Sequence, residues 1–553
     1  MSSASTETSV ANYEVKVNGS PISANLESHL AMVRVEESLS LPSTFSVRFY
    51  DPGFTLLDEE FIAVGSDVEI AFGWGNAKTT VLRGEVTGVS AEANSHGGFE
   101  VEVFGLDKMH RTMRGTKSRT FQNQSDSDVA RKIAQDAGLT PDIDATGGPH
   151  TLLFQVNETD HQYLRKRARR IGFAFWVSDG KLHFKQASSA SPVTATWGQN
   201  LFRFKARMSA AGQVDQVSVR GWDDATQQAV VGTGSANPAE PTTATFYTDA
   251  LADAKTKFGT MKATVSGEAI QDQADANNVA KAYRQRLSTS GLLVRGEMDG
   301  DPSIGAGSKI TVAGLGARLG GTYVLSGVEH VLGAGQPYVT RFVSSGPEPV
   351  QLTDLVAGAV DASGQVRAGL SLTVGTVTNN NDPDSAGRVK VKLPSLDAEH
   401  ETGWVRVASP GAGGTRGFQM LPAVNDEVLV GFEHGDASRP FVVGGLWSKK
   451  NKPPEGTFQN NGVVETQAWT SGKGHKIEIK DAGDGEVNLT VKGTKSALNV
   501  KKALVTLSGD QKVKIEASDI EVVATGKLTL KGRQVEVNGS QDVTIKGGMI
   551  KLN

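Results

Sequence analysis

The sequence predicts a mainly β protein with a few short helices, and three observations carry that reading. Near the C-terminus an apolar–polar–apolar triplet recurs eight times, at alternating steps of seven and eight residues. Period-two alternation of this kind marks strands with one dry face and one wet face. Glycine reaches 63 of 553 residues, against 38% hydrophobic and 6% aromatic residues, a turn-rich balance that suits strands better than a helical bundle. Between glycine-rich turns, runs such as "VKVKLP" and "VLVGF" have the β-branched content of short strands.

Composition narrows the function classes. The length suits roughly three or four domains. No apolar run approaches the ~20 residues of a membrane helix. The polar start "MSSASTETSV" lacks the basic-then-apolar pattern of a secretory signal. The absence of cysteine excludes disulfides, thiol catalysis and cysteine-held metals. A net charge of −4 argues against a dedicated nucleic-acid binder. A soluble chain made in the cytoplasm is expected.

Taken from the N-terminus, residues 1–9 read as disordered and residues 10–350 as one region with an internal repeat. "GSDVEIAFG" (65–73) followed by "LRGEVTGV" (82–89) is matched by "GSKITVAG" (307–314) followed by "LSGVEHV" (325–331), pairing Gly65 with Gly307 and Gly84 with Gly327. Each half reads as strand, short loop, strand of a small β-barrel. Between them "SDSDVARKIAQDAGL" (125–139), "NETDHQYLRKRARRIGF" (157–173) and "ADANNVAKAYRQRLSTSG" (274–291) have polar caps, apolar residues three and four apart, and a closing glycine. The basic run 165–170 reads as a solvated helix face.

Residues 351–369 read as a linker, and residues 370–450 as short strands with tight turns. Pro422 and Asn425–Glu427 mark a turn into "VLVGF", Gly444–Gly445 a bend, and Asp436 and Arg439 a turn rather than a charged site. "GAGGTRG" (411–417) lacks the lysine and helix of a phosphate loop and reads as a hairpin loop. Trp404, Phe418, Phe432, Phe441 and Trp447 sit in strand contexts that favour core packing over base stacking. Within "GRVKVKLP…WVRVASPGAGGTRGFQMLPAVNDEVLVGFEHGDASRPFVVGGLW", the residues Gly387, Arg388, Val389, Trp404, Gly417, Pro422, Asp426, Glu427, Val428, Phe432, Gly435, Asp436, Pro440, Gly444 and Gly445 resemble the OB-fold of VgrG-type spike proteins. Those proteins serve type VI secretion, contractile phage tails and related injection particles. Stretches 10–110 and 160–345 are similar to the hub of the same family, whose two barrels in three chains form a pseudo-six-fold ring.

After a linker (451–474), residues 475–553 carry the repeat. Its pairs are Leu498/Val500, Val505/Leu507, Val513/Ile515, Ile520/Val522, Leu528/Leu530, Val535/Val537, Val543/Ile545 and Ile550/Leu552, each with a polar residue between. Glycines at 493, 509, 532, 539 and 547 fall two places after a pair, where a corner needs freer backbone angles. An antiparallel meander gives no reason for that fixed phase. A single-chain solenoid and three intertwined chains both fit, and periodicity does not separate them. Intertwined, eight units would make a prism about 40 Å long. The resemblance implies the intertwined, triangular trimeric β-helix.

No HxxxH, HExxH, GxSxG or phosphate-loop pattern occurs, and residues 448–474 are too short for an inserted glycosidase. An enzyme, a cofactor and a metal site are therefore not expected. The resemblance implies a homotrimeric spike and hub that joins a six-fold inner tube to a three-fold needle. Its partners would be further copies of itself, the inner-tube protein, baseplate proteins and a PAAR-type tip protein, without nucleic acid and with the target membrane met only on puncture. The tip would dock on Gly548, Met549, Ile550, Lys551, Leu552 and Asn553, where open strand edges need covering. A lytic spike acting on cell wall and a carbohydrate-binding surface protein are the alternatives. Among contractile machines the compact length, with no fused toxin, favours a particle released from the cell.

Overall fold

The computed structural model describes residues 10–59, 62–94, 98–186, 191–211, 213–223, 227–234, 242–266, 268–270, 272–345, 372–397, 399–454 and 458–551. The expected disordered start (1–9), the linker 351–369, and Leu552 and Asn553 lie outside the described residues. The chain divides into two compact units, Met1–Leu446 and Trp447–Asn553.

The first unit is organised by one eleven-stranded sheet. Eight of its strands form its centre and one end: β1 (Leu30–Ser38), β2 (Thr44–Tyr50), β3 (Ala77–Asn94), β4 (Gly98–Asp107), β5 (Leu201–Met208), β6 (Leu292–Asp299), β7 (Gly327–Gly333) and β8 (Val339–Ser344). Their spatial order is β5-β6-β8-β7-β1-β2-β4-β3, continued by Asp67–Trp74 and Ala11–Val17. Strands β1-β2-β4-β3 and β5-β6-β8-β7 are the same four-strand run twice. The match extends to irregularities. The β1–β2 ladder shifts register between Leu30 and Met32, and the β5–β6 ladder shifts between Leu201 and Arg203. The Gly65 amide donates to the Val86 carbonyl at 2.8 Å, and the Gly307 amide donates to the Leu325 carbonyl at 2.9 Å. Both glycines have positive φ, +91° and +82°, which only glycine adopts without strain.

The duplication is therefore present, but in a different register from the one expected. Val86 stands where Leu325 stands, so Gly327 corresponds to Gly88 and not to Gly84. A longer first hairpin and a bulge between Val86 and Gly88 absorb the extra residues.

Each run buries one face. Val33, Val35, Phe45, Val47 and Phe72 lie under the first, and Leu201, Val294, Met298, Val328 and Phe342 under the second. The runs meet where β7 pairs antiparallel with β1, from Gly327↔Ser38 to Gly333↔Met32. At this join Glu37 is buried and accepts a hydrogen bond from the Ala306 amide at 3.1 Å. Burial, with a smaller contribution from the nearby Asp107 carboxylate, pushes the Glu37 carboxyl up to about 7. A carboxyl raised on folding contributes most at acid pH, and its contribution falls as pH rises from the unfolded range to about 7. Glu37→Gln should therefore stabilise the fold by about 2–3 kcal/mol at pH 8 and change little at pH 4. Chemical denaturation at the two pH values measures this, and an equal effect at both would refute it.

Two matched strand–helix pieces form the second core of this unit. Strands Lys117–Gln124 and His150–Glu158 pair antiparallel. Each leads through an asparagine at φ +51° (Asn123, Asn157) into a helix, Asp126–Asp136 or Asp160–Ile171. Ser125 with Asp128 and Thr159 with Gln162 form capping boxes that satisfy the first amides of each helix. The basic run of the second helix is not a solvated face. Arg167 is buried against Asp126, and Arg170 donates to Asp275 at 2.6 Å and Glu268 at 3.3 Å.

Residues 372–446 close into a small barrel. Leu372–Asn379 pairs with Lys390–Lys392 and with Glu427–Phe432, and Glu427–Phe432 pairs with Pro440–Gly445. Bridges Val389↔Val405 and Val407↔Val442 complete the circuit. The loop 411–417 is a short hairpin, and the Asp436 side chain caps its own turn by accepting from the Ser438 amide at 2.9 Å. Phe432 is buried, whereas Phe418 and Trp447 are exposed and lie outside the core expected for them. The barrel core includes two side chains from the His150–Glu158 strand, Leu152 and Phe154. Thr120 donates to Asp397 at 3.1 Å, and the Phe154 amide donates to Ser438 at 3.2 Å across the same contact.

Candidate functional site

The second unit opens with a five-stranded antiparallel meander: Thr466–Thr470, Lys476–Lys480, Glu486–Thr490, Ala497–Lys501 and Leu504–Ser508. It begins inside the segment read as a linker. Its cross-strand register aligns Trp469, Ile477, Leu489, Leu498 and Leu507 in one row, and Ile479, Val487, Val500 and Val505 in the next. Because strand side chains alternate, these rows share one face. That face is open: Val487 and Leu489 are 42% exposed, Val505 65%.

The opposite face is polar and better buried. Glu478, Asn488, Asn499 and Thr506 lie in register across it. Asn488 donates to Glu478 at 3.1 Å and to Glu486 at 3.0 Å, and Lys480 and Lys501 reach Glu486 at 2.8 and 3.1 Å. The Lys480 ammonium, then the Asn488 amide and Lys501, hold the Glu486 carboxyl far below the ordinary range. Burial raises Glu478, but hydrogen bonds from Lys476 and Asn488 outweigh it and hold that carboxyl low. The polar ladder fixes one side of the meander, and the apolar side stays open.

From 509 onward the chain changes character. It runs as extended segments with bends at 510–511, 518, 525–526, 533–534, 540–541 and 548, which keep the alternating step of eight and seven. Among the described residues no strand ladder joins any part of 511–551 to another part of the chain. The first member of each pair (Val513, Ile520, Leu528, Val535, Val543, Ile550) is 48–55% exposed, and each second member (Ile515, Val522, Leu530, Val537, Ile545) is 66–70% exposed. Equal environments at each step mean one backbone path repeated six times.

This divides the expected eight units. Leu498, Val500, Val505 and Leu507 belong to the meander, which is the arrangement the fixed phase argued against. Val513 through Ile550 belong to the unpaired repeat. A single-chain solenoid would ladder each strand onto a later strand of the same chain, and the described residues form no such ladder. The corner glycines also have another cause. Of the five, only Gly493 has positive φ. At Gly509, Gly532 and Gly539 a Cβ would lie 2.6, 2.8 and 2.6 Å from the carbonyl oxygens of Lys512, Gln534 and Asp542. The corners require glycine for close backbone approach. Of the expected docking residues, Met549 is 77% exposed and Ile550 52%. Among the described residues no cluster of three or more His, Asp or Glu could hold a metal ion.

The apolar residues of the meander's first three strands, Trp469, Ile477, Ile479, Val487 and Leu489, were missing from the expected repeat. "KIEIK" and "EVNLT" carry the same triplet, but at spacings longer than seven or eight residues. The triplet without its step was the available signal.

Comparison with known proteins agrees with this architecture. Residues 7–333, more than half of the chain, match the Alg8 N-terminal domain. Residues 373–447 match the type VI secretion system/phage-baseplate injector OB domain. A spike protein of the type VI secretion system of Pseudomonas aeruginosa, VgrG5, is 37% identical over 106 residues, which is 18% of this chain and 13% of that protein. VgrG2a of the same organism is 27% identical over 118 residues, 20% of this chain and 14% of its own length. The matched part thus spans about one-seventh of these relatives. The half-lidded Francisella PdpA–VgrG complex contains a chain of similar fold, with a TM-score of 0.51 and 9% identity over 91% of this chain and 88% of that one. The chain belongs to the Alg8 N-terminal domain family, and it is a VgrG-like protein whose closed barrel at 372–446 is the injector OB domain.

Proposed function

We propose that three copies of this chain form the spike and hub of a contractile injection machine. The observation that carries the reading is the stretch 511–551. Among the described residues its backbone donors and acceptors form no ladder within the chain, and its apolar pairs are open at every step. Such a row of open amides and carbonyls is a template for pairing with other strands, and once the apolar pairs beside it are buried those groups need partners. Three identical chains winding about one axis provide those strands, bury the Val/Ile/Leu pairs inside and leave the intervening polar residues in water. Six units at one strand spacing each give a needle about 30 Å long beyond the meander.

In this reading the duplicated sheet is the hub. Two copies of one strand run per chain become six per trimer, which fits a six-fold inner tube above a three-fold needle. The OB barrel forms a collar, and baseplate proteins surround the hub. The chain acts mechanically. Its needle punctures the target envelope when a sheath elsewhere contracts, and it is assembled into a particle that leaves the cell. Residues 548–553 take a PAAR-type tip protein.

Native mass measurement tests the assembly. The full chain should run at three times its 58.4 kDa mass, and a monomer would remove both trimer and needle. A chain lacking 549–553 should remain trimeric and lose the tip protein in pull-down. Retained tip binding would refute the docking assignment.

A further inference from the structure

Beside the two capped helices, a three-stranded sheet sets a serine, a histidine and an aspartate in one row. Strand Ala174–Ser178 pairs antiparallel with Lys181–Lys185, which pairs parallel with Thr140–Ile143. One face of this sheet sends Phe175, Val177, Leu182 and Phe184 into the core of the helical pieces. The other face carries Ser178, Trp176, Lys181, His183 and Asp142, because strand side chains alternate. His183 stands directly opposite Trp176 on one side and Asp142 on the other, and Lys181 stands opposite Ser178. The Ser178 hydroxyl lies 2.8 Å from His183 Nε2, and His183 Nδ1 lies 2.8 Å from the Asp142 carboxylate. The serine and histidine are 5 residues apart and the aspartate 41 from the histidine, so no contiguous motif announces the row.

The order of hydrogen bonds fixes the tautomer. An ionised carboxylate only accepts, so Nδ1 carries the imidazole proton and Nε2 accepts from the Ser178 hydroxyl. Lys185, 2.6 Å away, and then His183 hold the Asp142 carboxyl below its ordinary range. Burial holds His183 below its ordinary value, with Lys185 and Lys181 acting in the same direction and Asp142 against them. The imidazole is therefore neutral and able to take a proton at neutral pH. Trp176 stacks on its ring at 4.9 Å and is itself buried against Leu39 and Ala306, which fixes the ring plane. After Ser178 the chain turns through Asp179 and Gly180, at φ +48° and +69°. The amides of both make no hydrogen bond among the described residues. The Asp179 side chain points away to Arg83 at 3.0 Å. The contact of Ser28 with His29 Nδ1, at 3.2 Å, is of another kind. That nitrogen also lies 2.9 Å from the Asn25 carbonyl, to which it can only donate, so it has no lone pair for the Ser28 proton.

We propose that Ser178, His183 and Asp142 form an acyl-transfer site that hydrolyses small carboxylic esters. Ser178 is the nucleophile, His183 the base and then the acid, and Asp142 the positioning residue that holds the imidazole in its working tautomer. His183 Nε2 takes the hydroxyl proton as Ser178 Oγ bonds to the ester carbonyl carbon. The bond from that carbon to the alcohol oxygen breaks, and the alcohol leaves with the proton held by His183. Water then attacks the acyl-serine while giving a proton to Nε2. The acid departs, and the proton returns to Ser178 Oγ. The amides of Asp179 and Gly180 and the Lys181 ammonium are the nearby donors for the carbonyl oxygen as it gains negative charge. Ser178 and His183 are partly exposed, so a small ester reaches them without opening the fold. The site adds a chemical capability to the mechanical reading and stands whether or not that reading holds.

The first measurement needs no variant. The full chain is incubated with a short-chain alkyl fluorophosphonate, whose fluoride Ser178 Oγ displaces, and the labelled peptide is mapped by mass. The label should sit on Ser178 and not on Ser28. Ser178→Ala should abolish both the label and the hydrolysis of p-nitrophenyl acetate that the label blocks. His183→Gln should slow labelling about a hundredfold. The labelling rate should rise with pH through a midpoint below the ~6.5 of an ordinary histidine. Asp142→Asn should move that midpoint lower still, since the carboxylate is what raises it. A merely structural aspartate would reduce the rate and leave the midpoint in place. Thermal transitions of all chains ensure that rates are compared between folded proteins. An unlabelled Ser178 in the folded parent chain would overturn the site. Labelling that His183→Gln leaves unchanged would overturn its base, and an unmoved midpoint in Asp142→Asn would overturn the role of the aspartate.

Discussion

Val535→Asp is expected to make the C-terminal repeat digestible in the proposed trimer, which should otherwise resist protease. Val535 is the first member of its pair and half exposed in one chain. In three intertwined chains it faces the axis. The substitution removes ~1.5–3 kcal/mol of apolar burial per chain and brings three carboxyl groups together at one level, where they must be neutralised or break the strands apart. Glu536→Ser, at the polar place between the pair, should leave the resistance unchanged. A protease time course on the full chain as assembled, followed by mass analysis of fragments, separates the two. Undiminished resistance in the aspartate variant would show that the pairs are not the needle's core.

The second large effect is expected at Arg167, in the first unit. Its guanidinium donates to both oxygens of Asp126, at 3.2 Å for the longer bond, and lies 3.0 Å from His150 Nε2. Both charged groups are buried. Burial alone would raise the Asp126 carboxyl, but Arg167 and the His150 hydrogen bond outweigh it and hold that carboxyl far below its ordinary range. Arg167→Ala removes the compensation and leaves the carboxylate buried, which costs about 3–5 kcal/mol. A depressed carboxyl contributes fully above the unfolded value near ~4 and loses its contribution as pH falls below it. The gap between variant and parent should therefore narrow toward acid. Lys166→Ala, an exposed neighbour paired with Glu158 at 3.3 Å, should cost under about 1 kcal/mol. Thermal denaturation at pH 7 and pH 3.5 measures both. An Arg167 effect as small as that of Lys166 would show that the pair carries no stability.

What could be read in advance was set by whether a signal is local. The helices at 126–136, 160–171 and 273–290 were visible because caps and closing glycines lie within one turn of the elements they bound. Helix Thr245–Phe258 was not, since Ala244 at its start provides no side-chain cap. Gly65 and Gly307 betrayed the duplication because both need positive φ. Its register was misread because a bulge at Val86 shifts the frame without changing residue types. The buried arginines of the basic run looked solvated because the carboxylates they meet, Asp126, Glu268 and Asp275, lie 41 or more residues away in sequence. The step of seven and eight located the repeat correctly, yet the triplet itself is shared by antiparallel and unpaired strands. Leu498 and Val513 therefore read alike and fold differently.

The shared core of Leu152 and Phe154 with Val377, Val391 and Val430 determines how load would pass through the first unit of the proposed spike. A push on the helical layer reaches the OB barrel by compressing packed side chains, and close-packed interiors yield little to compression. The connection behaves as a strut rather than a tether. It transmits thrust at once and in a fixed direction, while the same contact pulled apart has only its apolar adhesion and a few hydrogen bonds to resist.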